Sequence, residues 1–440
     1  MNLCGKIGLM VAGLLSLAGV LAGCDGEKTA PKSQQEVVRT KLDFKDRLFL
    51  VDTLGGERVA AIRSIVGADT LEKVFVLRDS AAFAEGKALP SALAGALVLR
   101  TPLQRVAVLS SAQIGYMLRL GLEDRIIAVG AGKYIADSAL YAKAAAGAIA
   151  EVSPDGMNVD YEKLIALKPD LVMTFATGGS QDDYARMEKL GIPVMLTSEW
   201  QENSLEAKAD WIKLFSSLLD VEIPVEKRVS DSILDPIVYG YPAGNADPCV
   251  EQKVKWVGRN GKHGFTTVAR GPRVLAGMSY GGVWYAPGGR SYTADLIRKA
   301  GGCYLWASDT TRELRLTIEE VIALADSTDL WINPGMFGTP EEILAAEPRA
   351  AHIKAFKEKH VFQNDGRKGP GGGNDFYEGA VARPRELELN LRYLFSESYN
   401  RIKATYTIDE TGVPRLDEEE QAAKKPVYEK SAFEWYHNIF

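Results

Sequence analysis

The strongest constraint on how this 440-residue chain can fold is a helix-then-strand plan that occurs twice. Met157–Phe175 reads MNVDYEKLIALKPDLVMTF and Leu316–Gly335 reads LTIEEVIALADSTDLWINPG. In each, apolar residues fall at helical spacing: Tyr161, Leu164, Ile165 and Leu167 in the first, Ile318, Val321, Ile322 and Leu324 in the second. A short apolar run then follows an Asp, Leu171–Phe175 and Leu330–Ile332, and reads as a buried strand. Asn158 or Asp160 offers an N-cap to the first helix, and Thr317 with Glu320 makes a capping box in the second. Each copy also carries a Glu one turn into its helix, Glu162 and Glu319. A unit used twice implies two similar lobes. The fold class expected is therefore α/β, two lobes each with a mostly parallel sheet flanked by helices.

The length is enough for two or so domains with a core in each. An apolar fraction of 46 % and a charged fraction of 25 % are ordinary for a globular protein. A formal net charge of −6 leaves no basic footprint, which argues against a nucleic-acid partner. Four Cys are too few for a disulfide scaffold; whether Cys249 and Cys303 pair is open from sequence.

The N-terminus is more informative. Lys6 precedes an apolar run, Ile7–Leu21, that is too short for a membrane span and reads as a secretory signal. It ends in Leu21-Ala22-Gly23-Cys24, which looks like a bacterial lipobox with Cys24 as the lipidated residue, so residues 1–24 are the signal peptide and anchor site. More than one acyl chain on Cys24 would hold the chain to the membrane stably. Residues 25–38 are polar and read as a flexible tether. No second apolar stretch approaches the ~20 residues of a spanning helix.

Residues 39–100 alternate in short β-like runs (Arg47–Thr53, Val59–Ile65, Val74–Leu77, Ala96–Leu99) and predict a strand-rich extension. Residues 101–200 form the N-terminal lobe, with strands at Arg105–Leu109, Ile126–Val129 and Pro193–Leu196 and helices at Ile114–Leu120 and Tyr184–Leu190. Residues 201–271 are a helical linker and an irregular insert. A stripe through Trp211, Leu214, Phe215 and Leu218 marks the helix at Leu205–Leu219, a second helix starts after Pro224, and Asp235–Gly271 receives no regular structure. Residues 272–400 form the C-terminal lobe, from a strand at Arg273–Ala276 to a closing helix at Arg385–Ser396. Residues 401–440 are a tail with no assigned role.

This order of elements resembles a known family, the helical-linker class of substrate-binding proteins that deliver iron complexes, haem and cobalamin to bacterial ABC importers. The resemblance is carried by Arg105–Ser111 followed by Ile114–Gly130, by Glu162–Val172 (EKLIALKPDLV), by Lys189–Val194 (KLGIPV), and by the echo at Leu316–Ile332. It covers about Arg105 to Tyr399. The long extension, with Val283–Ser291 and Gly371–Pro384, looks like the form common in Bacteroidetes-type bacteria. Asp235–Gly271 departs from the family pattern, which would continue a long linker helix where this chain has Tyr239-Gly240-Tyr241-Pro242. The resemblance implies a monomeric, lipid-anchored protein on the periplasmic side of the cell membrane that captures an iron complex between its lobes. It also implies that Glu162 and Glu319 dock into the importer's two membrane subunits.

Ligands of open α/β sheets bind outside the carboxyl ends of the strands, so the loops after each strand hold the candidate contacts. The N-terminal lobe offers Ser111, Gln113, Tyr134, Thr177 and Trp200; the C-terminal lobe offers Tyr280, Trp284, Tyr285, Arg290, Asn333, Arg367, Asn374 and Tyr377. Aromatic loops suit a bulky chelate, porphyrin or corrin, since each buried ring adds ~150–250 Å² of contact. Arg290 and Arg367 would pair with ligand carboxylates or catecholates. The cargo expected is a metal chelate, a ferric siderophore first, a corrinoid or haem otherwise. A chelated metal brings its own coordination shell, so no protein metal site and no resident cofactor are expected, in keeping with four His that lack metal-site spacing. For haem, Tyr134 or Tyr280 would be the candidate ligand.

A serine hydrolase is the distant alternative. Gly277-Met278-Ser279-Tyr280-Gly281 matches a nucleophile elbow, and Asp329 with His352 or His360 follows in the hydrolase order. The elbow needs a helix straight after the serine, and Gly282–Gly289, with Pro287, cannot be one. The chain is therefore read as a binding protein without catalytic residues.

Overall fold

The computed structural model describes residues 42–45, 47–180, 182–224, 247–257, 263–268, 270–397, 402–408, 414–416 and 435–440. The signal peptide with Cys24, the tether and the helix expected after Pro224 lie outside the described residues. Among the described residues, no helix is long and apolar enough to cross a membrane.

The chain divides into two compact units. The first begins with the strand-rich extension, in which β1 (Phe49–Leu54), β2 (Glu57–Val66), β3 (Asp69–Arg78) and β4 (Leu97–Arg100) form one sheet in sequence order. β1, β2 and β3 are antiparallel neighbours and β4 joins β3 in parallel. A five-stranded, wholly parallel sheet follows, built from β5 (Val106–Val108), β6 (Ile126–Val129), β7 (Ala150–Glu151), β8 (Leu171–Thr174) and β9 (Val194–Leu196) in the order β7-β6-β5-β8-β9. Its strands are short and almost wholly apolar because both faces are covered, as parallel sheets require.

Local chemistry fixes the ends of these elements. The Asp160 carboxylate accepts from the Lys163 N–H at 2.9 Å and starts the Tyr161–Leu167 helix, and Lys168 in the left-handed region stops it. Asp170, the first residue of the Asp-strand signature, accepts from the Gln104 and Arg105 N–H groups at 2.8 and 2.9 Å. It thus ties the entry of β8 to that of β5.

The extension shares a core with the parallel sheet. Phe49, Ile62, Phe75 and Leu99 pack in one cluster with Val106, Met117, Leu171 and Met195. Trp211, Leu214, Phe215 and Leu218, the stripe expected in the inter-lobe linker, bury in this same cluster from the helix Ile212–Leu219 and its N-cap Trp211.

Among the described residues the second unit holds three sheets. β10 (Gln252–Val257) and β11 (His263–Val268) are an antiparallel hairpin inside the stretch where sequence gave no regular structure. Their period-2 pattern is short and interrupted by Gly and Lys, which hid it. β15 (Cys303–Tyr304), β12 (Arg273–Ala276), β17 (Leu330–Ile332), β18 (Val361–Gln363) and β21 (His437–Asn438) form one sheet in that order; β13 (Met278–Tyr280), β14 (Val283–Pro287) and β16 (Glu313–Leu316) make an antiparallel sheet ordered β13-β14-β16. In the larger sheet β15 (Cys303–Tyr304), β12, β17 (Leu330–Ile332) and β18 (Val361–Gln363) run parallel. β19 (Ile402–Ile408) and β20 (Pro414–Leu416) extend the hairpin sheet. The final strand β21 (His437–Asn438) closes the edge of the parallel sheet antiparallel to β18. The tail therefore supplies strands to two sheets.

The second copy of the repeated plan forms as expected. Thr317 and Glu320 make a reciprocal capping box at the Ile318–Ile322 helix, and β17 follows. Cys249 and Cys303 form a disulfide that fastens the segment before β10 to β15.

Candidate functional site

In the first unit, all five strands of the parallel sheet deliver their carboxyl ends to one edge. Ser110 ends the loop after β5 and caps the Ser111–Arg119 helix in a capping box with Gln113. The Gln113 side chain is fully buried and spent on structure: Oε1 accepts from the Leu109 and Ser110 N–H groups at 2.9 and 3.1 Å, and Nε2 donates to Thr197 Oγ1 at 2.9 Å. Thr197 Oγ1 in turn donates to the Thr174 carbonyl at 3.4 Å. One buried polar chain thus joins the carboxyl ends of β5, β9 and β8, and Gln113 braces the site rather than facing it.

Ser111 and Tyr134 are half-buried and adjacent, with Ser111 Oγ donating to the Tyr134 carbonyl at 3.4 Å. The Lys133 ammonium lies 5.1 Å from the Tyr134 ring centre. Thr177 is exposed, its loop held by the Asp182 carboxylate, which accepts from the Thr177 and Gly178 N–H groups. Trp200 is half-buried in the loop after β9, and its indole Nε1 is buried without a hydrogen-bond partner among the described residues. Beside it, burial pushes the Glu199 carboxyl up from its usual range, and Glu199 Oε2 also has no partner among the described residues.

Lys368–Ala382 groups with this first unit, although chain order puts it deep in the C-terminal lobe. The glycines explain the fit. A Cβ on Gly369 or Gly373 would overlap the backbone of Tyr134–Ala136, one on Gly371 the Tyr141 ring, and one on Gly115 the Glu378 carbonyl. Glu378 is fully buried and its two carboxyl oxygens accept the Ala136 and Asp137 N–H groups at 2.8 Å each. Burial outweighs those bonds and raises its pKa to about 7. Asn374, almost fully buried, spends Oδ1 on the Phe376 N–H at 3.0 Å, while the Tyr377 ring stands 44 % exposed. Ser111, Tyr134 and Tyr377 therefore belong to one unit, and sequence order alone hid that grouping.

In the second unit the expected residues separate into two kinds. Tyr280 is 40 % exposed at the end of β13, Tyr285 is half-buried with the Arg315 guanidinium 5.8 Å from its ring centre, and Arg290 is exposed. Trp284 is 1 % exposed and packs against Trp331 with ring centres 5.2 Å apart. It is a core residue, and its aromatic surface is spent inside the unit. Asn333 follows β17 at a positive φ of 52°, with Oδ1 buried and unpartnered among the described residues. Arg367 follows β18 with its guanidinium 5.1 Å from the ring centre of buried Trp435.

Ser279 lies on β13, which turns back into β14 instead of entering a helix. It is buried, and its Oγ donates to Glu347 Oε2 at 3.5 Å. A nucleophile elbow is not formed. Among the described residues no three of His, Cys, Asp and Glu are grouped to hold a metal ion.

Glu162 is exposed on the first turn of its helix, and Glu319 is exposed on the equivalent turn of the second, where it pairs with Arg349 Nη1.

Comparison with known proteins bears on this arrangement. Residues 106–231 match the family model described as periplasmic binding protein, a family of binding proteins rather than enzymes. An uncharacterized lipoprotein of Methanocaldococcus jannaschii is 23 % identical over 277 residues, covering 60 % of this chain; the chain spans 60 % of the length of that curated relative. Among solved structures, CeuE of Helicobacter pylori with Ni(II) bound matches at 16 % identity and a TM-score of 0.45 over 69 % of this chain and 87 % of that one. The vitamin B12 binding protein BtuF of Vibrio cholerae matches at 14 % and 0.41 over 68 % and 98 %, and the haem-binding protein HutB of the same organism at 15 % and 0.45 over 66 % and 98 %. At these scores the likenesses carry no weight for function, and the strand order above carries the fold. The periplasmic binding proteins, the family expected from the sequence, are thus the ones whose model residues 106–231 match.

Proposed function

We propose that this chain is an extracytoplasmic, lipid-anchored binding protein that captures a metal chelate and passes it to an ABC importer. The observation that supports this most is the carboxyl edge of the first unit's parallel sheet, which lies within the stretch matching the periplasmic binding proteins. There Ser111, Tyr134, Thr177, Trp200 and Tyr377 offer aromatic surface and a few polar groups. Such a surface fits the flat or bulky organic shell of a chelate. Two rings at ~25 cal/mol per Å² approach the ~8 kcal/mol that micromolar binding needs, before association costs. The second unit carries Tyr280, Arg290 and Arg367, a ring and two cations suited to catecholate or carboxylate groups. A ferric siderophore is the first ligand class, with corrinoids and haem after it.

The lipobox ending at Cys24, and a relative that is a lipoprotein, support the anchor. Uptake of iron-55 as ferric catecholate and hydroxamate chelates, and of cobalt-57 cyanocobalamin, in cells with and without this chain tests the function. Loss of one class of uptake, restored by the full chain, is the expected result. Unchanged uptake of every chelate would refute the importer role.

A further inference from the structure

We infer that the turn between β2 and β3 of the N-terminal extension is a wall of the ligand site and a determinant of which chelate fits. This rests on the binding reading above. The extension is no loose appendage, because its Phe49, Ile62 and Phe75 belong to the core of the parallel sheet. What matters is where the rigid sheet delivers its turn.

Three contacts place it. Ser64 Oγ and Ser198 Oγ are hydrogen-bonded at 2.6 Å, both buried. The Gln201 side chain clamps the backbone of Ile65, accepting its N–H at 3.0 Å and donating to its carbonyl at 2.5 Å. Gly67 sits against Gly178 so closely that a Cβ on Gly178 would overlap the Gly67 backbone. Ser198 and Gln201 belong to the loop after β9, and Gly178 to the loop after β8. The turn therefore rests on two successive carboxyl-end loops, on the side of a parallel sheet where ligands bind.

Its exposed surface is suited to that place. Ile65 keeps 37 % of its surface open, and Gly67 and Ala68 are exposed beside it. The clamp also fixes the loop that carries Trp200, whose indole Nε1 is buried and has no partner among the described residues. The chemistry offered is one apolar side chain and a glycine turn against the organic periphery of a bulky chelate.

Tryptophan-fluorescence titration of the full chain in mild detergent with ferric catecholate and hydroxamate chelates, cyanocobalamin and haemin tests this. Ile65→Ser removes the apolar contact, Ala68→Trp fills the space before the turn, and Arg58→Ser alters an exposed residue near the opposite end of β2. Circular dichroism monitors the fold. For the chelate the wild type binds, Ile65→Ser and Ala68→Trp each weaken affinity about tenfold, the equivalent of one lost buried side-chain contact, while Arg58→Ser leaves it unchanged. Wild-type affinity in both turn variants overturns the inference and leaves the binding reading standing. No binding of any probe by the wild type overturns both. If one turn variant fails to fold, the other decides.

Discussion

Glu378 is the residue whose chemistry is most displaced from its ordinary state. Its folded pKa of about 7 lies above the value of the unfolded chain, so protonated Glu378 favours the folded form. That contribution is full below the unfolded carboxyl pKa and is lost as pH rises through about 7. Denaturant unfolding between pH 5 and 8.5 should therefore show stability falling by up to ~3 kcal/mol from this group, and the fall should be missing from the curve of Glu378→Gln. Parallel curves for the two proteins would refute the assignment. Trp284 gives a second prediction. Because it packs on Trp331 in the core, Trp284→Ala should cost about 3–5 kcal/mol of stability, read as a shifted urea midpoint. Unchanged stability with weaker ligand binding would return it to the site. Sequence could list Gln113, Asn374 and Trp284 as polar or aromatic loop residues, but not tell that their bonding and packing capacity is used internally. That distinction depends on three-dimensional neighbours such as Thr197, Phe376 and Trp331, which no local pattern encodes.

The repeated helix-then-strand units were legible because each carries its own punctuation. Asp160 and Thr317 cap the helices, and the buried runs Leu171–Thr174 and Leu330–Ile332 are too short to be anything but strands. The four runs of the extension were legible for the same reason. The hairpin of β10 and β11 was not, and neither was the fastening of Lys368–Ala382 to the first unit, since that depends on glycines meeting Lys133–Ala136 and Gly115 meeting Glu378. Gly115→Val should displace that segment, raising amide hydrogen exchange across Lys368–Ala382 while β5 and β8 stay protected. Protection equal to the wild type would show the contact to be dispensable. The disulfide makes a similar prediction for the second unit. It closes a span of 54 residues, and Cys249→Ser with Cys303→Ser should lower stability by up to about 4 kcal/mol under oxidising conditions.

At the scale of the whole molecule, the exposed helix-start acids Glu162 and Glu319, one in each unit, are the residues proposed to dock on the importer. Glu162→Ala with Glu319→Ala should leave ligand affinity unchanged and reduce uptake several-fold, whereas normal uptake would remove the docking role. The central proposal, capture of a metal chelate, is tested most directly by titrating the full chain in mild detergent with ferric siderophore chelates, cyanocobalamin and haemin while following tryptophan fluorescence. Saturable quenching at micromolar or lower concentration by one class, and not by the metal-free chelators at the same concentration, is the expected result. No saturable response to any of them would contradict it.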